Sequence, residues 1–508
     1  MLETRQCQKA THEHISQQCE SEIVDIRYTC QRQQSKRIMT TLMGNVPSLA
    51  WRGLCLLLLL GMVITVIGGE GGNDPEGNDG ALPHRTVIAF GSCHKNIRAT
   101  VPSIWDKILQ EQPDAFVWTG DAMYPSSRDP VTRRKRYGPA PPHEIQKGFE
   151  DMKQNDTIGY TKLLQANVSI YGTWDDHDYG GNDMGKYMPN KEERQNVYWN
   201  FLGYRPHTHE GMYHSIDVPN SNRNLGNVGS GGEVDSPSRP GSIKLILLDT
   251  RWFRENHCIP TVAHKLPMGN AVACATRWAT AGLNLWKYAK WWGKQGCDEA
   301  ELLGEEQWKW LRHELLSSDA DLNIIVSSIQ IWTTNPAMES WGQFPKEQQR
   351  LWNLVKDHYA KESVGPVMFW SGDVHHAEII GQPGYLEVTS SGMTHHCGQP
   401  KLYGRLCRPI LAQFKDHRWK EDAFFVGLNY GVLQVDWSTR VAMVQIKNDQ
   451  GDTVLQVDQS LDIGPTDLPQ YEQLPHTWDG HLIPWLLRIV GVLIAIVFLT
   501  RLIPNPSR

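Results

Sequence analysis

Between residues 86 and 370 the chain repeats one pattern, a short unbroken apolar run followed by a stretch in which apolar positions recur every three or four residues. Runs of the first kind are Thr86–Phe90, Ala115–Thr119, Ser169–Trp174, Ile243–Leu248, Asn323–Ser328 and Val367–Trp370. Their length and apolar continuity predict buried strands. Helical spacing marks Lys191–Leu202, Glu305–Leu316 and Lys346–Tyr359, and from Phe425 to Asp458 the period drops to two, as in β-hairpins. Strands and helices in this order predict a layered α/β sandwich. Gly226–Gly241, full of Gly, Ser and Pro, reads as a surface loop, and no internal repeat is present.

Two longer hydrophobic runs bracket this region. Residues 1–47 are polar without a clear apolar period and read as a disordered leader. Residues 48–69 contain an apolar run short for a spanning helix, which needs roughly 20 apolar residues, so they read as a signal peptide or a signal anchor. A Gly- and Asp-rich linker, 70–85, leads into the domain, 86–460, and 461–481 form a juxtamembrane linker. Residues 482–503 are nearly uniformly apolar, with Trp485 at one edge and Arg501 beyond the other. They predict a C-terminal transmembrane helix, a buried core helix being the alternative. That topology puts the domain outside the cytosol, extracellular or in the lumen of the secretory pathway. The sequons Asn155-Asp-Thr157 and Asn167-Val-Ser169 agree with a glycoprotein.

Composition narrows the reading mainly by exclusion. With 508 residues and 40% apolar content there is ample material for a large core. Fifty basic against 56 acidic residues leave −6, which excludes a nucleic-acid binder working through a basic surface. Twenty Trp residues suit cores, clefts and membrane interfaces alike. Ten cysteines include no CxxC pair, against a zinc ribbon. Cys258 with Cys274 or Cys297, and Cys397 with Cys407, are the disulfide candidates.

The chemistry gathers where apolar runs end. Phe90-Gly-Ser-Cys-His94, Trp118-Thr-Gly-Asp-Ala-Met-Tyr124, Thr173-Trp-Asp-Asp-His-Asp178 and Trp370-Ser-Gly-Asp-Val-His-His376 each place metal-type ligands there, where α/β sheets bind ligands. Asp-x-His spacing on an extended segment sets Asp373 and His375 on one side. A set of carboxylate, imidazole, thiolate and phenolate suits ferric iron beside calcium, with zinc or manganese as alternatives. Two such ions would activate water and neutralise phosphate oxygens. His177, flanked by carboxylates that raise its pKa, would protonate the leaving group. Individually, Cys93 reads more simply as a buried packing residue and Gly-Asp as an exposed turn.

These segments, with Leu248-Asp-Thr-Arg251 and Leu303-Gly-Glu-Glu-Gln-Trp-Lys-Trp-Leu311, resemble the PhoD-like branch of the metallophosphoesterases across about Thr86 to Asp458. The resemblance implies a four-layer sandwich, two β-sheets flanked by helices. It implies a ferric ion on Cys93 and Tyr124, with Asp121, Asp176, Asp373 and His375 completing the ligands of iron and calcium. Arg251 would clamp the phosphate of a phosphate-ester substrate, and Asn182 is a second substrate-binding candidate. The chain departs from bacterial members in ending the acidic cluster with Asp178 in place of Glu, which puts the metal there in question. Arg277–Trp292 looks like an insertion, either a Trp-rich lid or a packed helix. The expectation is hydrolysis of phosphomonoesters at a membrane-anchored site. Its alternatives are a phosphodiesterase acting on lipid- or glycan-linked phosphate and a catalytically silent receptor-like domain.

Overall fold

Alternation along each strand decides which side chains face which layer. The computed structural model describes residues 85–96, 103–126, 138–219, 241–257, 269–280, 299–361, 363–399 and 404–463, with positions 489–491 and 493. The leader, the first hydrophobic run, the linkers and most of 482–503 lie outside the described residues, as do 220–240 and 281–298. Among the described residues no helix is long and apolar enough to cross a membrane.

In the first sheet, β1 (Arg85–Gly91), β2 (Ala115–Thr119) and β3 (Ser169–Thr173) run parallel. On the other side of β1 lie the antiparallel strands β11 (Asn429–Asp436), β12 (Val441–Asn448) and β13 (Thr453–Ser460). The second sheet contains β4 (His214–Pro219), β5 (Ser242–Leu247), β6 (Leu322–Val326), β7 (Val367–Ser371), β8 (Ala377–Ile380), β9 (Glu387–Ser390) and β10 (Phe424–Phe425). Its order is β10-β8-β9-β7-β6-β5-β4. Each of the six apolar runs read as strands is one, within two residues at either end.

Helices cover both outer faces. Val87 and Ala89 of β1 and Phe116 and Trp118 of β2 pack under α1 (Ile104–Gln110), α2 (Pro142–Gln154), α3 (Tyr160–Gln165) and α5 (Lys191–Leu202). Between β3 and α5 comes the single turn α4 (Asp176–Tyr179). Ile88, Phe90 and Val117, one residue out of phase, meet Leu245, Ile324 and Trp370 of the second sheet. Beyond that sheet, Ile246, Ile325 and Phe369 pack against α7 (Glu305–Leu316) and α8 (Pro345–Tyr359). The architecture is therefore a mixed α/β sandwich of two sheets with helices on both sides. Phe90 stacks on Trp370 across the sheets at 4.1 Å. Trp105, Trp118 and Trp174 are buried in one helical layer and Trp332, Trp341 and Trp352 in the other, so these tryptophans serve the core.

Two further helices, α6 (Gly269–Thr280) and α9 (Gly404–Leu411), lie off this frame. The insertion begins inside α6, where Arg277 is buried; residues 281–292 are outside the description. Cys397 bonds to Cys407. Cys274 keeps a free thiol, so Cys258 does not pair with it, and Cys258 and Cys297 are not described.

Candidate metal centre

The strand ends of both sheets converge on one pocket. Ser92, just past β1, bridges to Ser391, just past β9. A Cβ on Gly372, at the end of β7, would lie 2.5 Å from the Thr119 carbonyl oxygen of β2, so only glycine lets the two sheets approach this closely. Cys93, Asp121, Asp373 and His375 all hold positive φ, at 62°, 50°, 70° and 59°. Non-glycine residues seldom adopt this region, and such conformations persist only where their surroundings enforce them. Residues 373–376 form a turn, not the extended segment inferred from the Asp-x-His spacing.

Ligand atoms of Asp121, Asp176 and His177 lie within 4.8 Å of one another, and so do those of Asp121, Asp175 and Asp373. Asp121 thus belongs to both groups. Its Oδ2 also accepts the Tyr124 hydroxyl at 2.5 Å and stands 3.7 Å from Cys93 Sγ. His375 lines the same pocket, its ring 4.4 Å from that of His395. Asn182 is partly buried and donates its amide to Asp183 at 2.9 Å. A third group, Asp176, Asp183 and Glu339, adjoins the first two.

Burial dominates the electrostatics of these groups. Burial, reinforced by repulsion from Cys93 and Asp176, raises Asp121 well above the usual carboxylate range. Burial and neighbouring carboxylates raise Asp373 as well, and burial raises Asp175 even though Arg251 opposes it. The Cys93 thiol and the Tyr124 phenol are pushed up chiefly by burial, and His375 is pushed down to about 4. Each of these groups is thereby driven to its neutral form, chiefly by burial, with mutual repulsion adding to the rise of the acids. Asp175 Oδ2, Asp176 Oδ1 and His375 Nδ1 are buried without a hydrogen-bond partner. Oxygen, nitrogen and sulfur donors of this kind fit metal ions.

His177 departs from expectation. Burial lowers its pKa, and the charges of Lys95 and Arg251 add to that, outweighing Asp176 at 3.8 Å. Its ring lies 4.0 Å from that of Tyr124. Asp178 is turned away from the pocket, accepting the backbone N–H groups of Ala122, Met123 and Asp175 at 3.0 to 3.2 Å. Its shorter side chain therefore caps a turn and leaves the metal ligands alone.

Arg251 is fully buried. Its guanidinium holds Asp175 at 2.5 Å on one side and Glu339 at 2.9 Å on the other. Arg254 and His257 close on the same Glu339 at 3.1 and 3.2 Å. Arg277 of α6 reaches Asp183 at 3.4 Å. Asp183 N–H in turn donates to Asp176 Oδ2 at 2.6 Å.

Asp175, Asp183 and Glu339 are absent from the ligand set read from the sequence. Asp175 sits inside the acidic cluster that was recognised, but alternation along the chain does not say which carboxylates turn inward. Glu339, in Pro336-Ala-Met-Glu-Ser-Trp341, has no motif around it that would single it out.

Such a fold, with clustered carboxylates at its strand ends, defines a metal-dependent phosphoesterase. Residues 88–387 match the PhoD-like phosphatase family, and the chain belongs to it. Among solved structures it is similar to one described as the structure of PhoD, at 15% identity and a TM-score of 0.46, covering 75% of this chain and 69% of that one. It is also similar to GAP50, described as the anchor in the inner membrane complex of Plasmodium, at 12% identity and a TM-score of 0.41, covering 77% and 93%. No curated protein sequence matches the chain.

Proposed function

We propose that the chain hydrolyses phosphomonoesters, with Cys93, Asp121, Tyr124, Asp176, Asp373 and His375 holding a ferric ion and calcium. The observation that carries this reading is the meeting of Asp121 with two carboxylate groups under Cys93 and Tyr124. The hard phenolate of Tyr124 favours a trivalent ion such as ferric iron, and the thiolate of Cys93 is compatible with it. Bound there, the ions supply charge neutralisation for the phosphoryl oxygens and acidify water. The protein's own residues do the rest. Asp175, held by Arg251 and by the Ser328 hydroxyl at 2.5 Å, fixes the floor of the pocket. Arg251 thereby orients the carboxylates, and its buried position gives it no open face for phosphate. His177, neutral near pH 7, offers a ring N–H to the ester oxygens, and Asn182 is the second substrate-binding candidate.

The reading places the domain outward-facing at a membrane. The Cys397–Cys407 disulfide supports an oxidising compartment, and Asn167 is exposed at a turn where a glycan has room. Ile489, Val490 and Leu493, on the C-terminal apolar segment, are about half exposed, which suits a segment buried in lipid.

One assay tests the activity. Full-length protein in detergent, loaded with iron and calcium, should cleave a chromogenic phosphomonoester faster than the matching diester, and chelation should stop it. Failure with iron, calcium, zinc and manganese alike would remove the proposal. Faster turnover of a diester would favour the phosphodiesterase.

A further inference from the structure

Three arginines lie beside the metal centre, and each is already committed to a carboxylate: Arg251 to Asp175 and Glu339, Arg254 to Glu339, and Arg277 to Asp183. Each of these guanidinium charges is thus set against a carboxylate. Lys95 differs from them. It follows Cys93 by two residues and is half-buried, and its ammonium forms no ion pair among the described residues. The ammonium lies over the ring of Tyr124, 5.1 Å from the centroid. That ring leads directly to the carboxylates, because its hydroxyl donates to Asp121 at 2.5 Å.

The chain holds Lys95 at this place from both sides. Its backbone N–H donates to Thr394 Oγ1 at 2.7 Å, and the preceding His94 N–H donates to the Asp121 carbonyl at 2.9 Å. The His94 ring is wedged edge-on against Trp105 and Trp118, at 5.3 and 5.8 Å, which keeps the loop from swinging out. The Tyr124 ring also neighbours the rings of His177, at 4.0 Å, and His395, at 5.0 Å. Among the described residues the site is thus acidic at its floor, and Lys95 is a cation beside it that makes no ion pair.

We propose that Lys95 is the substrate-binding cation of this site and that it reads the second negative charge of a phosphomonoester. A monoester near neutral pH is mostly a dianion, whereas a diester carries a single charge. Metal ions held by the floor carboxylates would supply positive charge to the phosphoryl oxygens of either. An ammonium above Tyr124 is placed to meet the remaining oxygen, which bears the extra charge only in the monoester. A flexible, strongly hydrated ammonium suits that task as a point charge. Lys95 therefore selects between ester classes, an inference that rests on the phosphatase reading above.

The test is Lys95→Met, which keeps the length of the side chain and removes its charge, with Lys95→Arg beside it. Full-length protein loaded with iron and calcium is assayed on a matched chromogenic monoester and diester. A charge-assisted contact is expected to be worth roughly 10- to 100-fold. Lys95→Met should lower kcat/KM for the monoester by about that factor, mostly through KM, and should shift the monoester-to-diester ratio at least about tenfold. Lys95→Arg should restore most of the loss. Equal losses on both esters, or an unchanged monoester KM, would overturn the assignment and leave Lys95 as packing for Tyr124. Should the wild-type chain cleave neither ester, the phosphatase reading fails by itself, and Lys95 is then judged by equilibrium binding of inorganic phosphate. Affinity weakened by Lys95→Met supports an anion site, and unchanged affinity ends the proposal. Matching thermal melts of variant and wild type exclude misfolding as the cause.

Discussion

Replacing Gly120 by Ala should damage the metal centre through sterics alone, and a second glycine supplies the control. Gly120 holds φ of +96°, and a Cβ there would lie 2.6 Å from Asp175 Cβ and 3.0 Å from Ser328 Cβ. Gly203, at the end of α5, has φ of +83°, yet a Cβ there would meet nothing within 4 Å. Both substitutions carry the cost of a left-handed alanine, about 1–2 kcal/mol. Only Gly120→Ala adds overpacking in a filled core, about 1–3 kcal/mol more. The displaced residue is Asp175, which Arg251 grips at 2.5 Å, so the strain cannot be relieved by a simple rotation. Urea unfolding of the metal-free proteins should therefore give a loss of about 2–5 kcal/mol for Gly120→Ala and about 1–2 for Gly203→Ala. Elemental analysis after reloading should find metal retained by Gly203→Ala and depleted in Gly120→Ala. Equal stability losses and equal metal contents would refute the claim that the approach of Gly120 to Asp175 shapes the pocket.

Other outcomes follow from the same geometry. Tyr124→Phe should abolish or shift the visible charge-transfer band that a ferric phenolate gives the loaded protein, and colourless, iron-free, active protein would exclude iron. His177→Ala should lower kcat by roughly a hundredfold while metal content stays constant, the lower end of what proton-handling groups contribute; an unchanged rate would put it outside the chemistry. Glu387 is pushed up to about 7 by burial against its hydrogen bonds from Ser371, Ile331 and Trp332. The folded protein thus holds that proton more tightly than the unfolded chain does. Its contribution is full below the ordinary value of 4.5 and is lost as pH rises through 7. Glu387 should accordingly contribute about 3 kcal/mol of the fall in stability between pH 4.5 and 8.5, and Glu387→Gln should reduce that slope in denaturant titrations. Carbonate extraction should leave full-length protein in the membrane fraction, and removal of glycans should increase its mobility if Asn155 or Asn167 is modified.

Much of the frame was legible because strands buried on both faces leave a simple trace. Val87 through Phe90 is apolar throughout, and both of its faces turned out to be covered, one by helices and one by the other sheet. Asp121 and Asp373 were legible because each follows a glycine at the end of such a run. What escaped was whatever depends on how far segments reach across the pocket. The family resemblance gave Arg251 as a phosphate clamp; its ion pairs with Asp175 and Glu339 were not legible, since nothing local marks Glu339. Lys95 was hidden because a lone lysine in a loop usually means solvent. The rise expected for His177 failed because counting flanking carboxylates leaves out burial and the cations beyond them.

The ordering of strands in the first sheet has a consequence for biosynthesis. The sheet cannot close until its C-terminal strands are made, since Phe90 of β1 pairs with Gly431 of β11 and the Ser92 hydroxyl reaches the Ser390 carbonyl across 298 residues. At about 5–20 residues per second of translation, that interval lasts roughly 15–60 s. Throughout it the Cys93 thiol waits without Ser391 and the Asp373 carbonyl, its eventual neighbours at 3.1 and 3.7 Å. If the chain is made in an oxidising lumen, this cysteine is open to mispairing for the whole delay, and shelter by a chaperone or, if Cys93 is the iron ligand proposed above, early delivery of iron would protect it. Yield of active protein should then respond to iron supply during synthesis and much less to iron added afterwards.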